Sequence, residues 1–364
     1  MVKTNTMMTK HHSPYRTAGF SLVELMVGMI IALIGSIVIF QVFAVSENYK
    51  RTSVAGSDAQ QSGIMGLYTM ERDVRMAGFG INDITLLGCT VNAYNQNRIP
   101  ADFTFVLAPI QITQGAGNNP TTGVGAASDT ISVMYGNSAS GLATVDIVEN
   151  MPSPSATFKV SNRYGFREGD LVVIAEAGMD CTLAETTDLP GAGNSDNLIH
   201  NNGTYTNAAG VTGDAKHNKP GGLGVSYNAG AKVYNLGTTP TLNIYSIVNN
   251  TLTVQSNLTA TTVNIADNIV NLQAVYCKDL VNTPPTTFNT CDAVAPATWD
   301  QVGVVRIGLV SQSAKPERDC NVTASSNIPW SGGTFDISTI PNWNCYRYKV
   351  FQTTIPLRNL IWIF

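Results

Sequence analysis

The residues best equipped for covalent chemistry are six cysteines, at positions 89, 181, 277, 291, 320 and 345. None sits in a CxxC pair, and no histidine lies at metal-ligand spacing from any of them. A thiolate zinc site therefore has no motif, and an even cysteine count reads as three disulfides formed in an oxidising compartment. Buried free thiols are the alternative. Sequence alone leaves the connectivity open; short loops favour Cys277–Cys291 and Cys320–Cys345, which leaves Cys89–Cys181.

Acid–base chemistry has fewer candidates. His11 and His12 lie near the start, and His200 and His217 lie in a long polar stretch. No nucleophile elbow, P-loop or HExxH accompanies them, so His200 and His217 read as solvated loop residues. Asp170 follows Gly169 and reads as a turn residue ahead of a strand. Trp299, Trp330, Trp343 and Trp362 read as packing aromatics rather than a sugar platform. No EF-hand-like loop supports calcium binding. The expectation is a chain without catalytic residues, metal or cofactor.

One carboxylate stands apart. Glu24 lies in "TAGFSLVELMVGMIIALIGSIVIFQVF", residues 17–43, and from Leu25 to Val45 only Gln41 is strongly polar. About twenty residues at 1.5 Å rise span roughly 30 Å, enough to cross a bilayer core. A charge at the centre of such a helix costs roughly 2.5–3.5 kcal/mol, less for a residue one turn from its start. An ordinary cleaved signal, for which Ala44-Val45-Ser46 offers a site, has a shorter apolar run of about 7–15 residues. A plain single-pass anchor leaves the glutamate unexplained.

The run "GFSLVELMVGMII" resembles the class III signal of type IV pilins. The resemblance implies that a prepilin peptidase cuts after Gly19, that the new amino terminus Phe20 is N-methylated, and that Glu24 is the glutamate at the fifth mature position. The leader would sit on the cytoplasmic side, with Lys3, Lys10 and Arg16, and the cysteine-bearing part beyond the inner membrane. A buried amine needs a counter-ion; in a filament core Glu24 of a neighbouring helix supplies it, which makes Glu24 an assembly residue. Gly28, Ala32 and Ser36, spaced four apart, form a small-residue stripe suited to close helix packing. Gln41 stands where the family's major subunits often carry proline, so the local helix melting inferred for those subunits does not transfer.

These residues need elements to carry them. The helical pattern continues through "AQQSGIMGLYTMERDVRMAGFG", with Ile64, Leu67, Tyr68 and Val74 near one face, Glu71 interrupting it, and Gly78 and Gly80 as the stop. One helix over about residues 21–77 results. Beyond it, "SDTISVMYG", "REGDLVVIAEAG", "TLNIYSIVNNTLTVQS", "WDQVGVVRIGLVSQS" and "YKVFQTTIPLRNLIWIF" read as strands, with Asn249-Asn250 a hairpin turn. The organisation read from this is 1–19 leader, 20–45 membrane and filament-core helix, 46–78 amphipathic continuation, and 79–364 a β-rich periplasmic head with long polar loops near 112–128 and 186–224. The fold class is α+β, a pilin-like long N-terminal helix packed on a mainly antiparallel sheet. Charged residues are only 13% of the 364, against roughly 25% in typical soluble domains. With 21 basic against 25 acidic residues, no nucleic-acid footprint is present.

In order along the chain, "MERDVRMAGFG", "SDTISVMYG", "REGDLVVIA", "NIVNLQAVYC", "WDQVGVVRIGLVSQS" and "FQTTIPLRN" resemble the landmarks of PilW-type minor pilins. Members often carry glycine and aspartate after the "LQAVY" tyrosine, where this chain has Cys277-Lys278-Asp279. The resemblance implies a subunit in few copies that primes pilus assembly with other minor pilins and the major pilin, and helps seat a tip adhesin. The rivals are a minor pseudopilin of a type II secretion system and a membrane-anchored periplasmic carbohydrate-binding β protein.

Overall fold

The computed structural model describes residues 19–138, 144–190, 196–207, 209–282, 285–317 and 320–361. Leader positions 1–18, with His11 and His12, and Trp362 lie outside the described residues. A single helix, Leu22–Met76, runs for 55 residues, and the chain divides into two compact units between Val54 and Ala55. In the first unit the helix exposes its apolar side chains, from Leu22 to Val45.

In the second unit the helix buries Ala59, Gly63, Gly66, Met70, Asp73 and Val74, and Ala77 just past its end is buried as well. These recur every three or four residues and so share one helix face. That face differs in part from the one expected: Val74 is buried and Leu67 half-buried, but Ile64 and Tyr68 are 51% and 68% exposed. Side-chain size is the reason. A Cβ at Gly63 would fall 2.1 Å from a ring carbon of Phe351, and one at Gly66 2.9 Å from a methyl of Leu252. Around Gly63 and Gly66 the helix therefore docks through its smallest residues, and the bulkier Ile64 and Tyr68 turn away. Each glycine forgoes roughly 1 kcal/mol of helix propensity, which the close approach offsets. Gly78 and Gly80, at φ +80° and +85°, end the helix in left-handed conformation, and the Gly78 N–H donates to the Met134 carbonyl.

The head is mainly antiparallel β structure in three principal sheets. The five-stranded sheet runs Thr261–Asp267, Thr251–Ser256, Thr241–Val248, Thr130–Tyr135, Ile110–Thr113. Its central hairpin turns on Asn249 and Asn250 at φ 50° and 60°, the left-handed pair that a two-residue turn requires. The four-stranded sheet runs Thr290–Asp292, Ile269–Lys278, Val302–Gln312, Tyr348–Pro356. Val305, Ile307 and Leu309 alternate onto one of its faces and are fully buried, in the same core as Met70 and Val74 of the helix. After Pro356 the closing segment is not strand but a short helix, Arg358–Ile361. Its Asn359 amide donates to the carbonyls of Met76 and Ala77, groups that the end of the long helix leaves without partners.

The six-stranded sheet runs Asp102–Val106, Thr90–Tyr94, Cys181–Glu185, Leu171–Ala175, Lys232–Gly237, Val145–Asp146. Every residue of Leu171–Ala175 is buried, because the sheet is covered on both sides. Leu171, Val173 and Ala175 enter one core, Val172 and Ile174 another. Such double burial explains a continuous apolar run where alternation would mark a one-sided strand. Disulfides join Cys89–Cys181, Cys277–Cys291 and Cys320–Cys345. Trp299 and Trp330 are buried, packed against Tyr276 and Phe335, and Trp343 is half-buried.

The polar stretch 186–224 contains the short strands Asn197–Leu198, Gly203–Thr206 and Thr212–Ala215. Amide hydrogen bonds order it where apolar residues are scarce. Asn218 accepts from the Glu185 N–H (2.7 Å) and donates to the carbonyls of Glu185 (2.7 Å) and Asn201 (2.9 Å). His200 is correspondingly not solvated, and His217 is only partly solvated. His200 is only 6% exposed, stacks on Phe158 and donates from Nε2 to the Ala156 carbonyl. Half-buried His217 donates from Nδ1 to the Tyr94 carbonyl. Burial lowers the pKa of both rings.

Candidate functional site

Glu24 is an exposed carboxylate in the first turn of the helix, and Phe20, just before it, is 83% exposed. Glu24, Gly28, Ala32 and Ser36 follow at intervals of four and so lie in a row along the helix surface. The Ser36 hydroxyl donates to the Ala32 carbonyl at 2.7 Å, which satisfies it inside its own helix and leaves the row without an outward polar demand below Glu24. A Cβ added at Gly28 or Gly35 would meet nothing within 4 Å. Neither residue has a positive φ. Among the described residues nothing thus calls for either glycine, although each costs roughly 1 kcal/mol in a helix. Small residues on an apolar helix admit a second helix closely. Gly35 escaped notice in the sequence because it is off the four-residue spacing. By length and composition the helix can cross a membrane.

The head offers buried ionisable groups, which often mark functional sites. Burial raises the pKa of Asp129, Asp170 and Glu185. Each is pinned by internal donors: Asp129 by the N–H groups of Gly115 and Ala274, Asp170 by the Arg167 N–H and the Asn235 amide, and Glu185 by Tyr205 and the His217 N–H. Asp170 closes the turn before its strand. Asp73, unremarked in the sequence, ties the helix to the five-stranded sheet. It is 3% exposed and accepts from Tyr245 Oη (2.6 Å), Asn243 Nδ2 (2.7 Å) and Tyr135 Oη (3.2 Å). An open groove of about 490 Å³ beside Tyr94 and Phe103 has its charges Asp102 and Lys219 already paired at 2.7 Å. Among the described residues, no three His, Cys, Asp or Glu side chains converge as metal ligands.

The decisive comparison joins the two ends of the molecule. A model of the prokaryotic N-terminal methylation motif matches residues 15–40, and one described as Type IV Pilus-assembly protein W matches residues 230–359. This is a prepilin-signal chain with a PilW region. No curated protein and no solved structure matches it. The methylation motif covers Gly19, Phe20, Glu24, Gly28, Ala32, Gly35 and Ser36. The PilW region supplies the Lys232–Gly237 strand, three strands of the five-stranded sheet and all of the four-stranded sheet. It includes "NIVNLQAVYC", "WDQVGVVRIGLVSQS" and "FQTTIPLRN"; the three earlier landmarks precede it. Both models describe pilus components rather than enzymes.

Proposed function

We propose that this chain is a minor type IV pilus subunit, made as an inner-membrane prepilin, that primes pilus assembly and takes part in the tip complex. The observation that carries the reading is the methylation motif on an exposed apolar helix in the same chain as a PilW region. Prepilin peptidase removes residues 1–19, and Phe20 is methylated. The head faces the periplasm, a reading supported by three disulfides beyond the helix, since such bonds persist in oxidising compartments. In the filament, Glu24 neutralises a buried amine, and Gly28, Ala32 and Ser36 let a neighbouring helix approach. Other minor pilins, the major pilin and a tip adhesin are the partners.

Intact-mass spectrometry of the protein from membranes, with and without the peptidase, tests this reading. Peptidase-dependent loss of residues 1–19 together with one methyl group supports it. An uncleaved chain, or one cut near Ser46, would overturn it in favour of an anchored or secreted β protein.

A further inference from the structure

We propose that the groove beside Tyr94 and Phe103 binds a neutral oligosaccharide, whether or not the chain enters a filament. Strand register builds its floor. Asn92 is paired with Thr104 and with Thr182, and Tyr94 with Asp102, across three neighbouring strands. Directly paired residues share a face of the sheet, so an amide, two hydroxyls, a carboxylate and a phenol ring stand together. Val91, Phe103 and Cys181 alternate with them and enter the core on the other side. Farther along the floor's own face, Ala184 belongs to a second core, which stops short of Asn92 and Thr104 and leaves both exposed. The five floor residues line a groove of about 490 Å³, within the range of small-molecule sites. Its wall is already fixed. The His217 N–H donates to Glu185, the Asn218 amide holds the carbonyls of Glu185 and Asn201, and the Leu223 N–H donates to the Pro154 carbonyl. A site ordered in advance keeps more of its contacts as affinity.

Several of these groups keep hydrogen-bonding capacity. The His217 ring donates from Nδ1 to the Tyr94 carbonyl, which leaves Nε2 of the neutral ring as an acceptor. The Tyr227 hydroxyl donates to the Asp180 carbonyl, so Thr182 donates to Tyr227 and its oxygen can still accept. The Asn92 amide meets the Asp180 carboxylate only at 3.5 Å, near the limit of a hydrogen bond. Charge then selects the ligand class. Among the lining residues the formal charges are Asp102 and Lys219, joined at 2.7 Å, and Asp180 beside the floor adds a carboxylate that repels anions. Phosphates and acidic sugars find no unpaired cation among these residues. An aliphatic chain would strip water from the amide, the hydroxyls and the ion pair without replacing their hydrogen bonds. The floor's middle strand lies between two others, so recognition falls to side chains rather than to an added peptide strand. A neutral sugar meets these demands. Its hydroxyls both donate and accept, as the amide, carboxylate and imidazole require, and its C–H face suits an aromatic ring such as Tyr94.

The test applies the full-length protein, in a detergent without a sugar headgroup, to an array of immobilised neutral and acidic oligosaccharides, and titrates the best-bound one in solution. The expected result is binding of neutral oligosaccharides. Asn92→Ala and Thr104→Ala, both at exposed positions, should each weaken that binding about tenfold, with the melting temperature unchanged. No neutral oligosaccharide bound, binding of acidic ones alone, or equal affinity in the parent and both variants would overturn the proposal. A chain that keeps residues 1–19 would sink the pilus reading and leave the groove untouched, whereas a silent array with a processed, methylated chain would sink the groove alone.

Discussion

Replacing Asp73 by alanine should loosen the helix from the five-stranded sheet. Its carboxylate is buried and takes hydrogen bonds from Tyr245, Asn243 and Tyr135. Tyr245 is 1% exposed, so its hydroxyl would be left without a partner, at about 1–3 kcal/mol. Asn243 and Tyr135 are half-buried and can turn to water, so each loses nearer 1 kcal/mol. The carboxylate's own desolvation, recovered on its removal, offsets part of this. The expected net loss is about 3 kcal/mol. Asp73→Asn keeps one acceptor oxygen and should cost about half as much. Urea unfolding of the full chain in detergent, followed by tryptophan fluorescence, measures both variants. A cycle with Tyr245→Phe should return a coupling of at least about 1 kcal/mol. If Asp73→Ala shifts the unfolding free energy by less than about 0.5 kcal/mol, or Tyr245→Phe costs the same in both backgrounds, the carboxylate is not the latch described.

Other outcomes follow from the same contacts. Gly63→Ala should destabilise the protein despite better helix propensity, because its Cβ would strike Phe351. Gly56→Ala, with nothing within 4 Å, should stabilise it by roughly 0.5–1 kcal/mol, and melting temperatures of opposite sign check the pair. Glu24→Ala should abolish most surface filaments, counted by electron microscopy, without changing the protein's level in membranes; normal piliation would remove the assembly role. The buried His200 ring has its pKa lowered below the ordinary 6.5. Its stabilisation is therefore complete above that value and lost as pH falls through the folded value. His200→Gln should lose less stability than the parent between about pH 7 and pH 5, and parallel curves would contradict this. Serine at Cys89 and Cys181, which close the longest loop at 92 residues apart, should cost more than serine at Cys277 and Cys291, roughly 4.5 against 3 kcal/mol by loop entropy.

The signal, the helix end at Gly78, the Asn249-Asn250 hairpin and the apolar alternation around Val305 were legible because each is a local pattern. What the sequence concealed depends on distant partners. Ile64 and Tyr68 look like the inward residues of the helix until Phe351 and Leu252 arrive from the sheet and make Gly63 and Gly66 the contact face. Asp73 looks like a surface charge until the two tyrosines and Asn243 converge on it from two strands. The stretch around His200 reads as loose because its order comes from the Asn218 amide and a stacked ring rather than from apolar periodicity. On the N-terminal helix the sequence shows the row from Glu24 to Ser36, and among the described residues nothing lies within 4 Å of a Cβ added at Gly28 or at Gly35, which the spacing did not reveal.

The Cys89–Cys181 bond also sets a mechanical limit. A pull on the helix that peeled it from the sheet would next draw out residues 77–88, a slack of roughly 40 Å when fully extended. Tension would then reach Cys89 and cross the covalent bond to Cys181, on the strand beside Thr90–Tyr94 in the six-stranded sheet. Everything between the two cysteines is bypassed and cannot unravel. The polar loop near 112–128, which lies between the two cysteines, thus carries none of the load, and the load passes on into the strand Cys181–Glu185.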